Sequence, residues 1–408
     1  MPESESRPLN VICLATYFKG AQFIRECKSN GCNVILITKE KTLGEDWPRD
    51  SLADLIALPN DADTGLFIQL VSLLARQTKL DRIVALEEFD VITAALIREH
   101  LCMRGMNSSA ARFFRDKLAM SVKARFADID VPEFVSLINH NELREFMDRV
   151  PPPWVIKPRS DVSAIGIKKA DAAGDVWQAI DELDAREKLR ERSPHYLLAH
   201  FVPGEVFHVD SLVSSGRVIF AGANRYGRPP MEVAHQGGAY ISHTLAQASA
   251  DEKRLLEINR KLIKTLGLEN GAAHAEFIKG ASDGRFYFLE IAARVGGAYI
   301  AEVLEAASGI NLWREWAKLE LADEQSPKRI IPERREHAGI ILSLAKQEYP
   351  DTSAYTDSEI VYRVKKRHHV GVIVRSPKLE RVTELLDQYA RRFANDFIAV
   401  APPLERVE

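Results

Sequence analysis

Cysteine is scarce in this chain and confined to one end: Cys13, Cys27, Cys32 and Cys102 are the four among 408 residues. None forms a Cys-x-x-Cys pair, so the simplest soft-metal and dithiol chemistries are excluded. Reduced, buried thiols of a cytoplasmic protein are the expectation. An excess of one charge is also missing. The formal net charge is −3, which excludes a strong pull toward nucleic acid or an anionic membrane. No apolar run approaches the ~20 residues of a membrane span, and the polar opening MPESESRP carries no apolar signal core. Gly-x-Gly-x-x-Gly is absent after the first apolar strand, so a dinucleotide-binding reading loses its main support. Repeats and low-complexity tracts are absent too.

What is present is a regular alternation of elements. Apolar strands at 9–14, 33–37 and 82–86, with a weaker one at 52–58, alternate with helical patterns at 20–29, 65–78 and 90–103. Gly31 is a helix stop. This spacing predicts a parallel α/β unit. A basic helical stretch follows over 111–128, and Asn139 is placed to cap a helix over 141–149. Strands are expected at 154–157, 195–201, 205–213 and 218–223, with helices at 174–190, 250–266 and 299–322. Residues 338–344, 370–375 and 378–393 read as a small α+β tail.

The chemistry concentrates in His274-Ala-Glu276-Phe-Ile, a polar turn, and Phe286-Tyr-Phe-Leu-Glu290-Ile-Ala-Ala-Arg294. A three-residue hairpin loop, Ser282-Asp283-Gly284, sets Ala281 against Arg285. Counting outward puts Glu276 opposite Glu290, with Cβ atoms about 5 Å apart. Like charges so placed call for a cation, and two carboxylates without a soft ligand suit Mg²⁺. Period-two alternation adds His274, Ala292 and Arg294 to that face and sends Phe277, Leu289 and Ile291 to an apolar one.

Two weaker segments precede the hairpin. Residues 157–168 predict strand, loop and strand, with Lys157 at the strand end and small residues at 160–164 that let backbone N–H groups approach phosphate oxygens. An ordinary exposed hairpin is the alternative. His200-Phe-Val202-Pro-Gly-Glu205 is a strand end able to read an adenine edge, or a turn with a solvated acid.

Taken together, in this order, these parts resemble the ATP-grasp superfamily, from about residue 9 to about 400. The most specific piece is Glu276 with Glu290-Ile-Ala-Ala-Arg294-Val-Gly-Gly297. The resemblance is strongest to carboxylate–amine ligases of the L-amino-acid-ligase and carnosine-synthase type. It implies an α/β and α+β ATP-grasp architecture: a parallel α/β pre-grasp domain over about 1–113, an ATP-grasp domain over 114–325 with a mobile part at about 125–197, and a C-terminal α+β lobe over 326–408. It implies ATP with Mg²⁺, or Mn²⁺ in its place, at Glu276 and Glu290. Lys117 and Lys157 would touch phosphates, and the loop with Ser160, Ser163 and Gly166 would cover them. The His200 and Val202 backbone would meet adenine and Glu205 the ribose. Arg294 would stabilise the transferred phosphoryl group.

The implied reaction joins a carboxylate, such as an amino acid, to an amine through an acyl phosphate, releasing ADP and phosphate. Bicarbonate or ribonucleotide ligases of the superfamily, and a nucleotide-binding module without turnover, are the alternatives. Ala292 stands where many members have an asparagine ligand, which weakens the bicarbonate reading. Arg225, His235, Gly297 and Ala298 are the substrate candidates. Arg225 is a carboxylate fork or a surface arginine; His274 is a base or a structural histidine. Small-molecule substrates, no nucleic acid, no membrane and a homodimer complete the expectations.

Overall fold

A computed structural model describes residues 7–161, 166–185, 195–322 and 330–399 of the chain. Its strands make three sheets. The first is parallel, in the order β3-β2-β1-β4, from β1 (Asn10–Leu14), β2 (Asn33–Lys39), β3 (Asp54–Leu58) and β4 (Arg82–Ala85). Helices α1 (Ala21–Ser29), α2 (Thr64–Gln77) and α3 (Val91–His100) alternate with them. Every residue of β1 is buried, as its continuous apolar run requires of a strand covered on both faces. Gly31, at φ +77°, follows the end of α1 as expected. The loops after β1 and β4 meet at the carboxyl edge of the sheet, where the backbone N–H of Thr16 donates to Asp90 at 2.8 Å. Open parallel sheets commonly hold ligands at such an edge.

The basic stretch over 111–128 is two helices, α4 (Ser108–Arg112) and α5 (Lys117–Phe126), not one. Asp116 interrupts it by accepting from the N–H groups of Leu118 and Ala119, which makes it the cap of α5.

The second sheet is small and antiparallel, in the order β5-β8-β6-β7, from β5 (Phe134–Ser136), β6 (Trp154–Pro158), β7 (Lys168–Ala170) and β8 (Tyr196–His200). Helices α6 (His140–Arg149), capped by Asn139 as expected, and α7 (Ala173–Ala185) pack on it. Leu143, Phe146, Trp154, Ile156 and Ile180 give it a core of its own.

The third sheet has eight antiparallel strands: β9 (Gly204–Ser214), β10 (Arg217–Tyr226), β11 (Tyr240–Thr244), β12 (Gly271–Gly280), β13 (Phe286–Ala292), β14 (His337–Leu344), β15 (Ile360–Arg363) and β16 (His369–Ser376). Their order is β13-β12-β9-β10-β11-β14-β16-β15, so the C-terminal strands extend the central sheet through the β11–β14 pairing. The associated helices are α8 (Pro230–Gln236), α9 (Ala250–Leu266), α10 (Ile300–Ser308), α11 (Leu312–Leu321) and α12 (Leu379–Asp396). The helix expected over 299–322 is split into α10 and α11 by Gly309, at φ +82°, and by Asn311, which caps α11. On one face of the sheet Phe207, Phe277 and Phe288 pack with Leu255 and Leu262 of α9. On the other, Leu212 packs with Leu304, Trp316 and Phe23 of α1, which joins the first sheet to the third.

Cys13, Cys27 and Cys32 are buried thiols, as expected; Cys102 departs from that expectation and is exposed. Among the described residues, no helix is long and apolar enough to cross a membrane.

Candidate active site

Glu276 does face Glu290, but through two departures from the expected hairpin. The loop is one residue longer: Gly280 donates to the carbonyl of Arg285 at 2.9 Å, leaving Ala281–Gly284 as the turn, with Gly284 at φ +67°. Phe277 then pairs with Phe288, and the register slips by one before Glu276 meets Glu290. Leu289 is the extra residue of a β-bulge. The longer loop and the bulge cancel. The bulge also corrects the face of Leu289, which packs with Val206, Tyr226 and Ile278 and lines the cleft rather than the core.

The cleft is a cavity of about 720 Å³ between the small sheet and the large one. Lys117, Lys157, Glu276, Glu290, Arg294 and His274 all line it. Lys117, the first residue of α5, places Nζ 2.5 Å from Oε2 of Glu290 and donates to the carbonyl of Asp161 at 2.6 Å. Lys157, on β6, is pushed down to about 8 by burial and by Lys117 beside it. Two lysines and two carboxylates thus share one wall. This donor set fits a hard divalent cation accompanied by a polyphosphate.

Arg294 is held from the first sheet. Its Nε donates to Oε2 of Glu88 at 2.7 Å, and its Nη1 to the carbonyl of Val295 at 3.0 Å. Burial opposes its charge, but Glu88 and Glu87 outweigh it and raise the guanidinium above its ordinary value. Glu88 also accepts from Arg115 at 2.5 Å. Burial would raise the Glu88 carboxyl; Arg294, Arg115 and Lys117 instead hold it at about 2. Glu87 pairs with Lys19 at 2.7 Å, and Lys19 also lines the cleft. Sequence reasoning missed Lys19, Glu87 and Glu88. The available signal was position: a pair of acids directly after a buried parallel strand.

His200 and Val202, the expected adenine contacts, line the cleft together with Gly204. The backbone N–H of His200 donates to the carbonyl of Glu133 at 2.7 Å, however, so that donor is already taken. Ser160 is exposed, and its carbonyl accepts from Arg115 at 2.5 Å. Gly166 sits at φ +70°, and Ser163 lies outside the described residues. Gly297 and Ala298 line the cleft, and Ala298 takes φ +51°.

Arg225 and Glu205 are corrections. They pair with each other at 2.7 Å, and neither lines the cleft. Arg225 lies opposite Phe207 in the β9–β10 register, whereas Tyr226 faces the cleft. Period two therefore turns Arg225, and Glu205 with it, to the α9 side. His235 falls in α8, and its side chain lies outside what is described.

Behind Glu276, His208, Asp210 and His274 form a buried group. Each Nδ1 lies at hydrogen-bond distance from one oxygen of Asp210, 2.6 Å for His208 and 2.8 Å for His274, so the three are closed on one another. Burial opposes a charge on His274, but Asp210 and Glu276 raise it to about 10. A protonated imidazole is no free base, which favours the structural reading of this histidine.

Residues 150–302 match the ATP-grasp domain family. The L-arginine-specific L-amino acid ligase of Bacillus subtilis is 23% identical over 301 residues, covering 72% of this chain and 70% of that protein. The crystal structure of an L-amino acid ligase from Bacillus licheniformis superposes with a TM-score of 0.74 at 16% identity, covering 97% of this chain and 99% of that one. The biotin carboxylase domain of Hydrogenobacter thermophilus 2-oxoglutarate carboxylase, solved with magnesium ADP and bicarbonate, superposes at 0.73 with 13% identity, covering 96% of this chain and 91% of that one.

Proposed function

The chain carries an ATP-grasp domain within an ATP-grasp fold, and from that premise we propose that it is an ATP-dependent ligase joining a carboxylate, specifically that of an amino acid, to an amine. One observation carries this reading: Lys117, Lys157, Glu276, Glu290 and Arg294 come from separate elements and line one cleft. The distant relation to an L-amino acid ligase supports the choice of substrate class.

A carboxylate is a poor electrophile. In the proposed reaction one of its oxygens bonds to the γ-phosphorus of ATP, and the bond from that phosphorus to the β-bridging oxygen breaks to release ADP. The amine nitrogen then bonds to the acyl carbon, the carbon–oxygen bond to phosphate breaks, and the proton lost from nitrogen leaves with the phosphate or to solvent. A divalent cation at Glu276 and Glu290 would neutralise phosphate charge. Lys117 and Lys157 bind the phosphates, and Arg294, anchored on Glu88, presents a fixed positive charge to the transferred group.

The test is a phosphate-release screen over amino acids, singly and in pairs, with product masses. ADP and phosphate formation that needs both a carboxylate and an amine is expected. AMP as product, or turnover driven by bicarbonate or a ribonucleotide without amino acids, would overturn the proposal. Glu290→Gln should lower turnover by more than ~100-fold, beyond the cost of losing an outer-shell partner, with an unchanged circular dichroism spectrum.

A further inference from the structure

Asp210 sits inside β9 at 0% exposure, one histidine on each carboxylate oxygen. Both Nδ1 atoms are therefore donors, and the two Nε2 atoms point in different directions. That of His208 meets Ser242 Oγ at 2.8 Å, deep in the sheet. That of His274 meets Oε1 of Glu276 at 3.4 Å. The same Oε1 accepts from the Tyr226 hydroxyl at 2.6 Å. The Tyr226 hydroxyl and the His274 ring thus both stand against one oxygen of Glu276. Among the described residues none is hydrogen-bonded to the other, Oε2.

The Arg294 loop makes room for this arrangement. A β-carbon on Gly296 would stand 2.6 Å from Oδ1 of Asp210 and 2.9 Å from Nδ1 of His274. Gly296 takes no left-handed φ, so closeness to the Asp210–His274 contact, not backbone conformation, is what asks for glycine here. The two arms also differ in where they end. The Ser242 arm stops in the core at 1% exposure, while the His274 arm ends on a residue that lines the cleft. A network serving only the core would have no reason to reach the cleft.

We propose that Asp210 is a positioning residue: through His274 it fixes Oε1 of Glu276 and leaves Oε2 as the one oxygen this glutamate offers to a divalent cation. The proposal rests on the ligase reading of the cleft. Outer-shell partners of this kind typically change metal affinity by about 10–100-fold when lost.

The test is direct Mn²⁺ binding to the full chain in the presence of ADP, followed by the electron paramagnetic resonance of free Mn²⁺, with no turnover involved. Asp210→Asn keeps the side-chain shape but replaces one acceptor oxygen by a donor, and should weaken Mn²⁺ about tenfold. Gly296→Ala keeps every donor and crowds the contact; it should weaken Mn²⁺ in the same direction, and it stands in for Asp210→Asn should that variant fail to fold. Ser242→Ala removes a hydrogen bond of the same buried group on the arm that misses Glu276, and should leave Mn²⁺ affinity unchanged. ADP affinity without metal should be unchanged in all three. Folded Asp210→Asn or Gly296→Ala protein with wild-type Mn²⁺ affinity would overturn the proposal, as would an equal loss in Ser242→Ala. If the wild-type chain binds no Mn²⁺ with ADP, the ligase reading of the cleft falls and the positioning role falls with it. That outcome is distinct from a wild type that binds and variants that bind equally.

Discussion

Glu88 holds two guanidinium groups at once, those of Arg294 and Arg115, and is only 6% exposed. Removing the charge takes the nearest carboxylate from two cations in low dielectric, and leaves Arg294 only the more distant Glu87, at 4.0 Å. Glu88→Gln should therefore cost about 3–5 kcal/mol, the usual result of breaking a buried pair from one side. The pH dependence has a definite sign. The folded carboxyl titrates at about 2, below its ordinary 4.5, so its stabilisation is complete above pH 4.5 and is lost as pH falls through about 2. Urea melts of wild type and Glu88→Gln should differ by a constant amount above that window and converge on acidification. A difference that does not shrink in acid would contradict the ion-pair account. Little of this was legible in the sequence. Glu276, Glu290 and Arg294 announce themselves by period-two spacing in one short segment. Glu88 meets Arg294 across 206 residues of chain, and no local pattern encodes that meeting.

At the scale of elements, the cap of α5 matters most, because Lys117 is the first residue after it. Asp116 accepts from two N–H groups of the first turn and pairs with Arg159 at the end of β6 at 2.5 Å. Asp116→Ala should destabilise the chain by about 1–2 kcal/mol, and Asp116→Asn by less than half of that, since Asn caps as well as Asp. Chemical denaturation of the two variants checks this; equal losses would show that the Arg159 pair, not the cap, holds the element. The sequence showed a basic helix here and hid its break, because a capping aspartate inside a helical pattern looks like one more polar residue. The β12–β13 hairpin shows the opposite case. Its turn and its bulge each depart by one residue from a regular ladder, and the departures cancel at Glu276 and Glu290. Local counting reached the correct pairing and the wrong face for Leu289, since alternation cannot foresee a bulge.

For the whole molecule, the decisive feature is that β14–β16 continue the central sheet. Ile241 of β11 packs with Ile341, Val372 and Leu386 from the C-terminal part. A chain ending at Ala322 would expose both the β11 edge and that apolar surface, and such edges pair and aggregate. It should fail to melt cooperatively and should elute as aggregate in size-exclusion chromatography; a monomeric, cooperatively melting product would contradict the shared-sheet account. By itself the sequence determined what depends on near neighbours: the parallel α/β opening, the cap at Asn139, the stop at Gly31, and the facing glutamates. The tertiary structure alone decided which distant charges meet. It brought Glu88 and Lys19 from the first sheet to Arg294 and the cleft, turned Arg225 toward Glu205 on the far face, and set Asp210 behind Glu276. Alternation and helical period constrain only a few residues at a time, whereas these contacts depend on how whole sheets pack against one another.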